Sequence, residues 1–218
     1  KTIYIYYTIF IMVILKMKLK NDKIYIKVSG GDIFTIPKNG LYELDLYEGM
    51  ELEYDEIPHI RLRAFESAAR KSAISILKRG FISEGMLREK LIKKGHKKRF
   101  INYAMHYCKE YDLIDDKRFV KIAINSLKLK GKSKRHIIDY LKKNKVKPSL
   151  IEKAQNSISD KIDDKALKDA IRKYYKVYEH KDRKEDYLIK TLMRKGFKYD
   201  RIKTLVRKYI DKKENYKD

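Results

Sequence analysis

Three stretches of this chain align with one another without a gap. "LREKLIKKGHKKRFINYA" (87–104), "IIDYLKKNKVKPSLIEKA" (137–154) and "LIKTLMRKGFKYDRIKTL" (188–205) put Leu87, Ile137 and Leu188 at one position. Leu91, Leu141 and Leu192 share a second, Ile101, Ile151 and Ile202 a third, and Ala104, Ala154 and Leu205 a fourth. The offsets are 50 and 51 residues. A period of that size marks stacked supersecondary units, none of which can bury its apolar face alone. The apolar spacing within each copy is that of a helix, a tight turn and a second helix. Gly95 and Gly196 occupy the turn, where a positive φ ends a helix, whereas Lys145 stands there in the second copy, a less comfortable residue. A longer helix precedes each pair, at about 59–79, 116–130 and 164–180. The fold class predicted is mainly α. Three tandem three-helix repeats, at 59–110, 111–160 and 161–212, form an extended curved body, with a tail at 213–218.

Ahead of Pro58 the period is two rather than 3.6. "KIYIKV" sets Ile24, Ile26 and Val28 on one face, "SGGD" (29–32) is a turn, and "IFTIP" reads as the return strand. "LYELDLYEGMELEYDEI" offers a further strand or a short helix broken at Gly49. A small β-rich module is therefore expected over 17–58. The run "TIYIYYTIFIMVIL" (2–15) is uncharged over 14 residues. A spanning helix needs about 20, and no small-residue cleavage site follows. Since "MKLKNDKIYIKV" reads as an ordinary cytosolic start at Met17, residues 1–16 are expected to lie upstream of the working protein. A membrane tether through 2–15 is the opposing reading.

Charge divides at the same boundary. Residues 1–58 carry seven Lys, no Arg and nine acids, a sum of −2, and residues 59–218 carry +26, which recovers the +24 of the whole chain. A surplus of that size favours an anionic partner, most simply nucleic acid. The 41 Lys against 13 Arg, together with abundant Ile, Tyr and Asn, fit an AT-rich coding sequence. Such a bias explains Lys over Arg better than it explains the shortage of acids. The one cysteine, Cys108, excludes an internal disulfide, fits a reducing cytosol, and sits at helical spacing from Ala104 as a core thiol.

The tetrapeptide IDDK occurs in "YDLIDDKRF" (111–119) and in "SDKIDDKAL" (159–167), each time where a long helix begins. Asp115, Asp116, Asp163 and Asp164 are expected as structural helix caps, because a carboxylate there accepts the free N–H groups of the first turn. The five His show no ligand spacing with them, so no metal, catalytic or cofactor-binding residue is assigned. No phosphate loop, dinucleotide fingerprint, nucleophile elbow, HExxH or CxxC is present, which speaks against an enzyme.

The basic stretches "KKGHKKR" (93–99), "KLKGKSKR" (128–135), "KKNKVK" (142–147) and "MRKGFKYDR" (193–201) fall at turns. Any one of them could be a solvated helical face. Repetition at equivalent turns would align charge along one side of a curved body, suited to a polyanion or a filament carrying one. The residues assigned to that surface are Lys93, Lys94, Arg99, Lys132, Arg135, Lys142, Lys143, Arg194 and Lys195. Tyr103, Tyr107, Tyr111, Tyr140, Tyr174 and Tyr175 could stack on bases, although most of them fall on core stripes.

From about 62 to 208 the chain resembles the RecX family. The likeness runs through "AISILKRGFISEGMLREKLIKKG" (73–95), "YDLIDDKRFV" (111–120), "GKSKRHIIDYL" (131–141) and "LMRKGFKYDRI" (192–202). Arg79, Ser83, Glu84, Leu87, Lys90, Leu91 and Gly95 fall on the first family motif, and Asp115, Asp116, Arg118 and Phe119 on the second. Arg194, Gly196, Phe197 and Ile202 fall on the closing element. Met86, Gly85, Val120 and Lys145 depart from the family pattern. The resemblance implies a cytoplasmic, monomeric, cofactor-free regulator of the RecA recombinase, acting in DNA repair, recombination and the SOS response. It would bind RecA and its filament on DNA and modulate recombinase activity, with inhibition the expected sense. Some members also bind single- or double-stranded DNA directly, and a direct nucleic-acid-binding helical module without RecA is the alternative.

Overall fold

The structure, a computed structural model, describes residues 11–214. It opens with a sheet. Strands β1 (Ile11–Lys20), β2 (Lys23–Val28), β3 (Ile33–Pro37) and β4 (Glu51–Glu53) lie in the order β3-β2-β1-β4, all antiparallel. Asn21 and Asp22, with φ of 49° and 57°, close the β1–β2 hairpin in the doubly positive turn that matches strand twist. Met12 and Ile14 are buried, then the register with β2 shifts between Ile14 and Lys16, and Met17 becomes the next inward residue. A bulge at Leu15 reverses the alternation, which is why no simple period-two pattern is visible across this strand.

This corrects the boundary expected after residue 16. Residues 11–16 belong to the sheet, since Ile14 donates to the Met50 carbonyl at 2.9 Å and Val13 donates to Ser29 Oγ at 2.9 Å. The apolar run looked foreign to the module because two of its residues fill the module's core. The rest of the tether reading, at residues 2–10, falls outside the described residues. Among the described residues no helix is long and apolar enough to cross a membrane.

After a short 3-10 helix (Lys38–Glu43), the chain is helical: α1 (Glu56–Leu77), α2 (Glu84–Lys93), α3 (Lys98–Glu110), α4 (Asp116–Leu129), α5 (Lys134–Lys143), α6 (Pro148–Ser157), α7 (Asp160–Tyr178), α8 (Lys184–Arg194) and α9 (Tyr199–Glu214). The mainly helical class with a small sheet in front is the observed one. Helix α1 buries two faces. Ala64 joins the sheet core, while Ala68, Ala69, Ala73 and Ile76 are buried further along α1, which packs against α3. Small residues on adjacent faces let one helix serve both layers. Leu62 of α1 is 38% exposed.

The described chain forms two compact units. One holds the sheet, α1, most of α2 and α3, through residue 114, and the other holds 81–86 with everything from Asp115 onward. The second unit has two cores. Phe119, Ile124, Leu127, Ile137, Leu141 and Ile151 build the first, from α4, α5 and α6. Leu167, Ile171, Tyr175, Leu188, Leu192, Ile202 and Val206 build the other, from α7, α8 and α9.

Candidate nucleic-acid interface

Three of the basic turns share one backbone reversal. In α2, α5 and α8 the residue after the last turn has positive φ: Gly95 at 80°, Lys145 at 55° and Gly196 at 92°. The next N–H then reaches back to the carbonyl five residues before it. His96 donates to Leu91 at 3.3 Å, Val146 to Leu141 at 3.2 Å and Phe197 to Leu192 at 3.3 Å. This reversal satisfies carbonyls left over at the helix end, and the apolar residue that follows is driven inward: Val146 and Phe197 are both buried. Lys93, Lys142, Lys143 and Arg194 occupy the last turns, where a cation complements the negative end of the helix.

In the first unit, Lys93 pairs with Glu89 at 2.9 Å, Lys94 is exposed, and the Arg99 guanidinium lies 4.4 Å from the Phe100 ring centre. Between Lys93 and Arg99, His96 Nε2 and Ser72 Oγ are 2.9 Å apart, which ties this turn to α1. Burial, and then the Lys94 charge, hold His96 below the ordinary imidazole range, so the turn carries a neutral ring at neutral pH. A groove lined by Arg61, Lys97 and Arg99 over Leu62, Phe65 and Phe100 runs alongside.

The second unit brings six of the nine assigned residues into one body. Arg135 and Lys142 line a single groove together with Lys134, Lys198 and Arg201, which the sequence reading did not assign. Ile138 and Phe197 form its apolar part, and Asp139 and Asp163 its acids. Lys132, Lys143 and Lys195 all act on His136, whose pKa is depressed first by burial and then by these cations, Asp139 opposing them. Lys195 is not a free surface charge. Its ammonium donates to the Lys130 carbonyl at 2.9 Å and lies 5.1 Å from the Tyr174 ring centre, so it braces the α8–α9 turn against the α4–α5 turn. Arg194 reaches Thr191 Oγ1 at 3.4 Å and is otherwise exposed.

The acid pairs separate into different roles. Asp115 caps α4, its carboxylate accepting from Lys117 N at 2.7 Å and Arg118 N at 3.2 Å. Asp116 is 4% exposed and accepts from Glu84 N, the first residue of α2, at 2.7 Å. Asp163 accepts from Lys134 N, the first residue of α5, again at 2.7 Å. The equivalent carboxylates are thus Asp116 and Asp163, second of one pair and first of the other. Helix α7 begins at Asp160 behind Ser159, not at the acid pair, so Asp163 and Asp164 do not cap α7. Asp164 instead pairs with Arg201 at 2.5 Å. Among the described residues no cluster of His, Cys, Asp and Glu has the geometry of a metal site.

Most of the tyrosines serve packing. Tyr107 packs at a tilt against Tyr111 with ring centres 4.5 Å apart and lies under the Arg70 guanidinium, and Tyr140 stacks on Phe119 at 6.4 Å. Tyr175 is buried, edge-on to Tyr209. Tyr103 and Tyr111 keep an exposed side.

No protein-family model matches the chain. Individual proteins do. The regulatory protein RecX of Clostridium perfringens strain SM101 is 25% identical over 193 residues, covering 86% of this chain and 90% of the relative. That of Caldanaerobacter subterraneus subsp. tengcongensis is 27% identical over 139 residues, 64% of this chain and 71% of its own. RecX of Vibrio vulnificus is 28% identical over 145 residues, 66% of this chain and 95% of its own. In fold, the crystal structure of a regulatory protein RecX superposes with a TM-score of 0.56 at 18% identity, covering 90% of this chain and 99% of that one. RecX from Lactobacillus salivarius gives 0.53 at 21%, covering 66% and 96%. Along most of its length this chain is similar in sequence to proteins named regulatory protein RecX, and it has the fold of the solved RecX structures.

Proposed function

We propose that this chain is a non-enzymatic regulator that binds the RecA recombinase and its DNA filament in the cytoplasm and lowers recombinase activity. The observation that carries the reading is the likeness to proteins named regulatory protein RecX, which spans 86% of the chain in the Clostridium perfringens relative. The basic turns support it independently. A surface that must follow a polyanionic filament needs cations repeated at equivalent places, and the shared backbone reversals at residues 95, 145 and 196 support that arrangement. In this reading Arg135, Lys142 and Lys143 meet the filament from the second unit, and Lys93, Lys94 and Arg99 from the first.

The test adds purified protein to RecA assembled on single-stranded DNA and follows ATP hydrolysis and filament length. A fall in both at substoichiometric amounts is expected. A second reading, direct nucleic-acid binding without RecA, draws on the groove of Lys134, Arg135, Lys142, Lys198 and Arg201, which needs no protein partner to attract phosphate. Tight binding to naked DNA together with no effect on RecA would establish that reading and remove the first.

A further inference from the structure

Between α7 and α9, away from the turns, lies a groove whose chemistry differs from the rest of its triplet. Lys168 and Arg172 line one wall, and Lys208, Lys212 and Lys213 the other, with no carboxylate among the lining residues. Ile171, Leu205 and Tyr209 form the floor. Three other arginines of this triplet are paired with carboxylates: Arg201 with Asp164 at 2.5 Å, Arg183 with Asp186 at 2.7 Å and Arg207 with Glu185 at 3.1 Å. In the groove, Arg172 has only a long, exposed contact of 3.5 Å to Asp169, and Lys168, Lys208 and Lys213 pair with no carboxylate among the described residues. Repelling cations set along two walls above an apolar floor favour an occupant that brings negative charge and apolar surface together.

We infer that this groove receives an acidic amphipathic helix from a partner protein. The lining on α9 runs from Leu205 to Lys213, a rise of about 12 Å, which accommodates roughly two turns of a helix. Apolar side chains at i, i+4 and i+7 of the occupant would meet the floor, and flanking Glu or Asp would meet the walls. A nucleic acid fits less well. Phosphates make no use of an apolar floor, and Tyr209, the one aromatic lining residue, is already held against Tyr175 with ring centres 5.2 Å apart, so it offers little for base stacking.

The test contains no RecA, so its outcome is separate from that of the regulatory reading. Fluorescence anisotropy on the full chain would compare a labelled Glu- and Leu-rich helical peptide with leucines on one face, a permuted peptide of the same composition, and oligothymidylate. The patterned peptide is expected to bind about tenfold or more tighter than the permuted one. The triple variant K168E/K208E/K213E, at exposed positions that leave the core untouched, is expected to lose that binding by a similar factor while retaining binding to the oligonucleotide. Circular dichroism confirms that the variant is folded. Equal binding of the two peptides reduces the groove to bulk charge and overturns the proposal. So does a variant that loses the oligonucleotide and keeps the peptide, because the groove would then be a nucleic-acid site.

Discussion

A Cβ added to Gly85 would lie 2.3 Å from the Lys145 carbonyl oxygen and 2.4 Å from the Lys145 Cβ. A glycine in the first turn of α2 looks like a weakness by helix propensity, and by propensity alone Gly85→Ala should stabilise by roughly 1 kcal/mol. Close approach reverses the sign. The alanine has to push away the α5–α6 turn, and overpacking of this kind costs about 1–3 kcal/mol, measurable as a lower midpoint in urea. Lys145 itself sits at φ 55°, a conformation that costs a non-glycine residue about 1–2 kcal/mol. Lys145→Gly should raise the midpoint despite the greater freedom of glycine in the unfolded chain, and it should soften the penalty of Gly85→Ala by removing one of the two clashing atoms. The strained turn was legible from the repeat, because the other two copies carry Gly there. The reason for Gly85 was not, because its partner lies 60 residues away in sequence. His96 and His136 give a pH dependence. Both are held below their ordinary value of 6.5, so the folded chain resists protonation more than the unfolded chain does. Their contribution is complete above that value and is lost as pH falls through the lower folded values. Melting should occur at a lower temperature at about pH 5.5 than at about pH 7.5, and H96Q/H136Q should flatten that difference.

At the level of elements, one contact appears twice in the second unit. The start of a middle helix packs on the turn that follows the next middle helix, and a carboxylate from the intervening long helix caps it. Ser83 Oγ donates to the Asn144 carbonyl, while Glu84 N donates to Asp116. Ser133 N donates to the Lys195 carbonyl at 3.1 Å, while Lys134 N donates to Asp163. The helix period, the triplet pattern and the helix start after Asp115 could all be read from the chain, since each follows from local spacing or local capping. The exchange of caps could not. It depends on a four-residue difference in where α4 and α7 begin relative to two identical tetrapeptides, at Asp116 inside the first and at Asp160 ahead of the second, and only the packed backbone sets that phase. Asp116→Ala and Asp163→Ala should therefore each cost about 0.5–2 kcal/mol, with Asp116 at the upper end because it is buried. Hydrogen exchange locates the effect. Protection should fall at the first amides of α2 for Asp116→Ala and of α5 for Asp163→Ala. Loss confined to α4 and α7 themselves would mean that each acid serves only its own helix.

For the whole molecule, the charge surplus was visible from composition, and so was its absence from the first 58 residues. Its distribution over the surface was not, since burial and ion pairing decide which cations remain available. Lys195 is taken up in bracing two turns, Arg201 is paired with Asp164, and Lys198 shares a groove with cations from two other basic runs. The cations left to an anionic partner are thus fewer than the +24 of the chain suggests. Salt dependence counts those that are used. Each phosphate neutralised on a single strand contributes about 0.7 to the slope of log K against log salt, because a condensed counterion is released. Arg135, Lys142 and Lys143 are all exposed, so R135E/K142E/K143E should leave the fold intact and lower the slope for RecA on single-stranded DNA by about 2, in proportion to three lost contacts. K195E tests something different, since removing the brace should lower the melting temperature before it changes the slope. A triple variant that binds with an unchanged slope would move the contact away from these turns, and a K195E variant that melts normally with a reduced slope would return Lys195 to the binding surface.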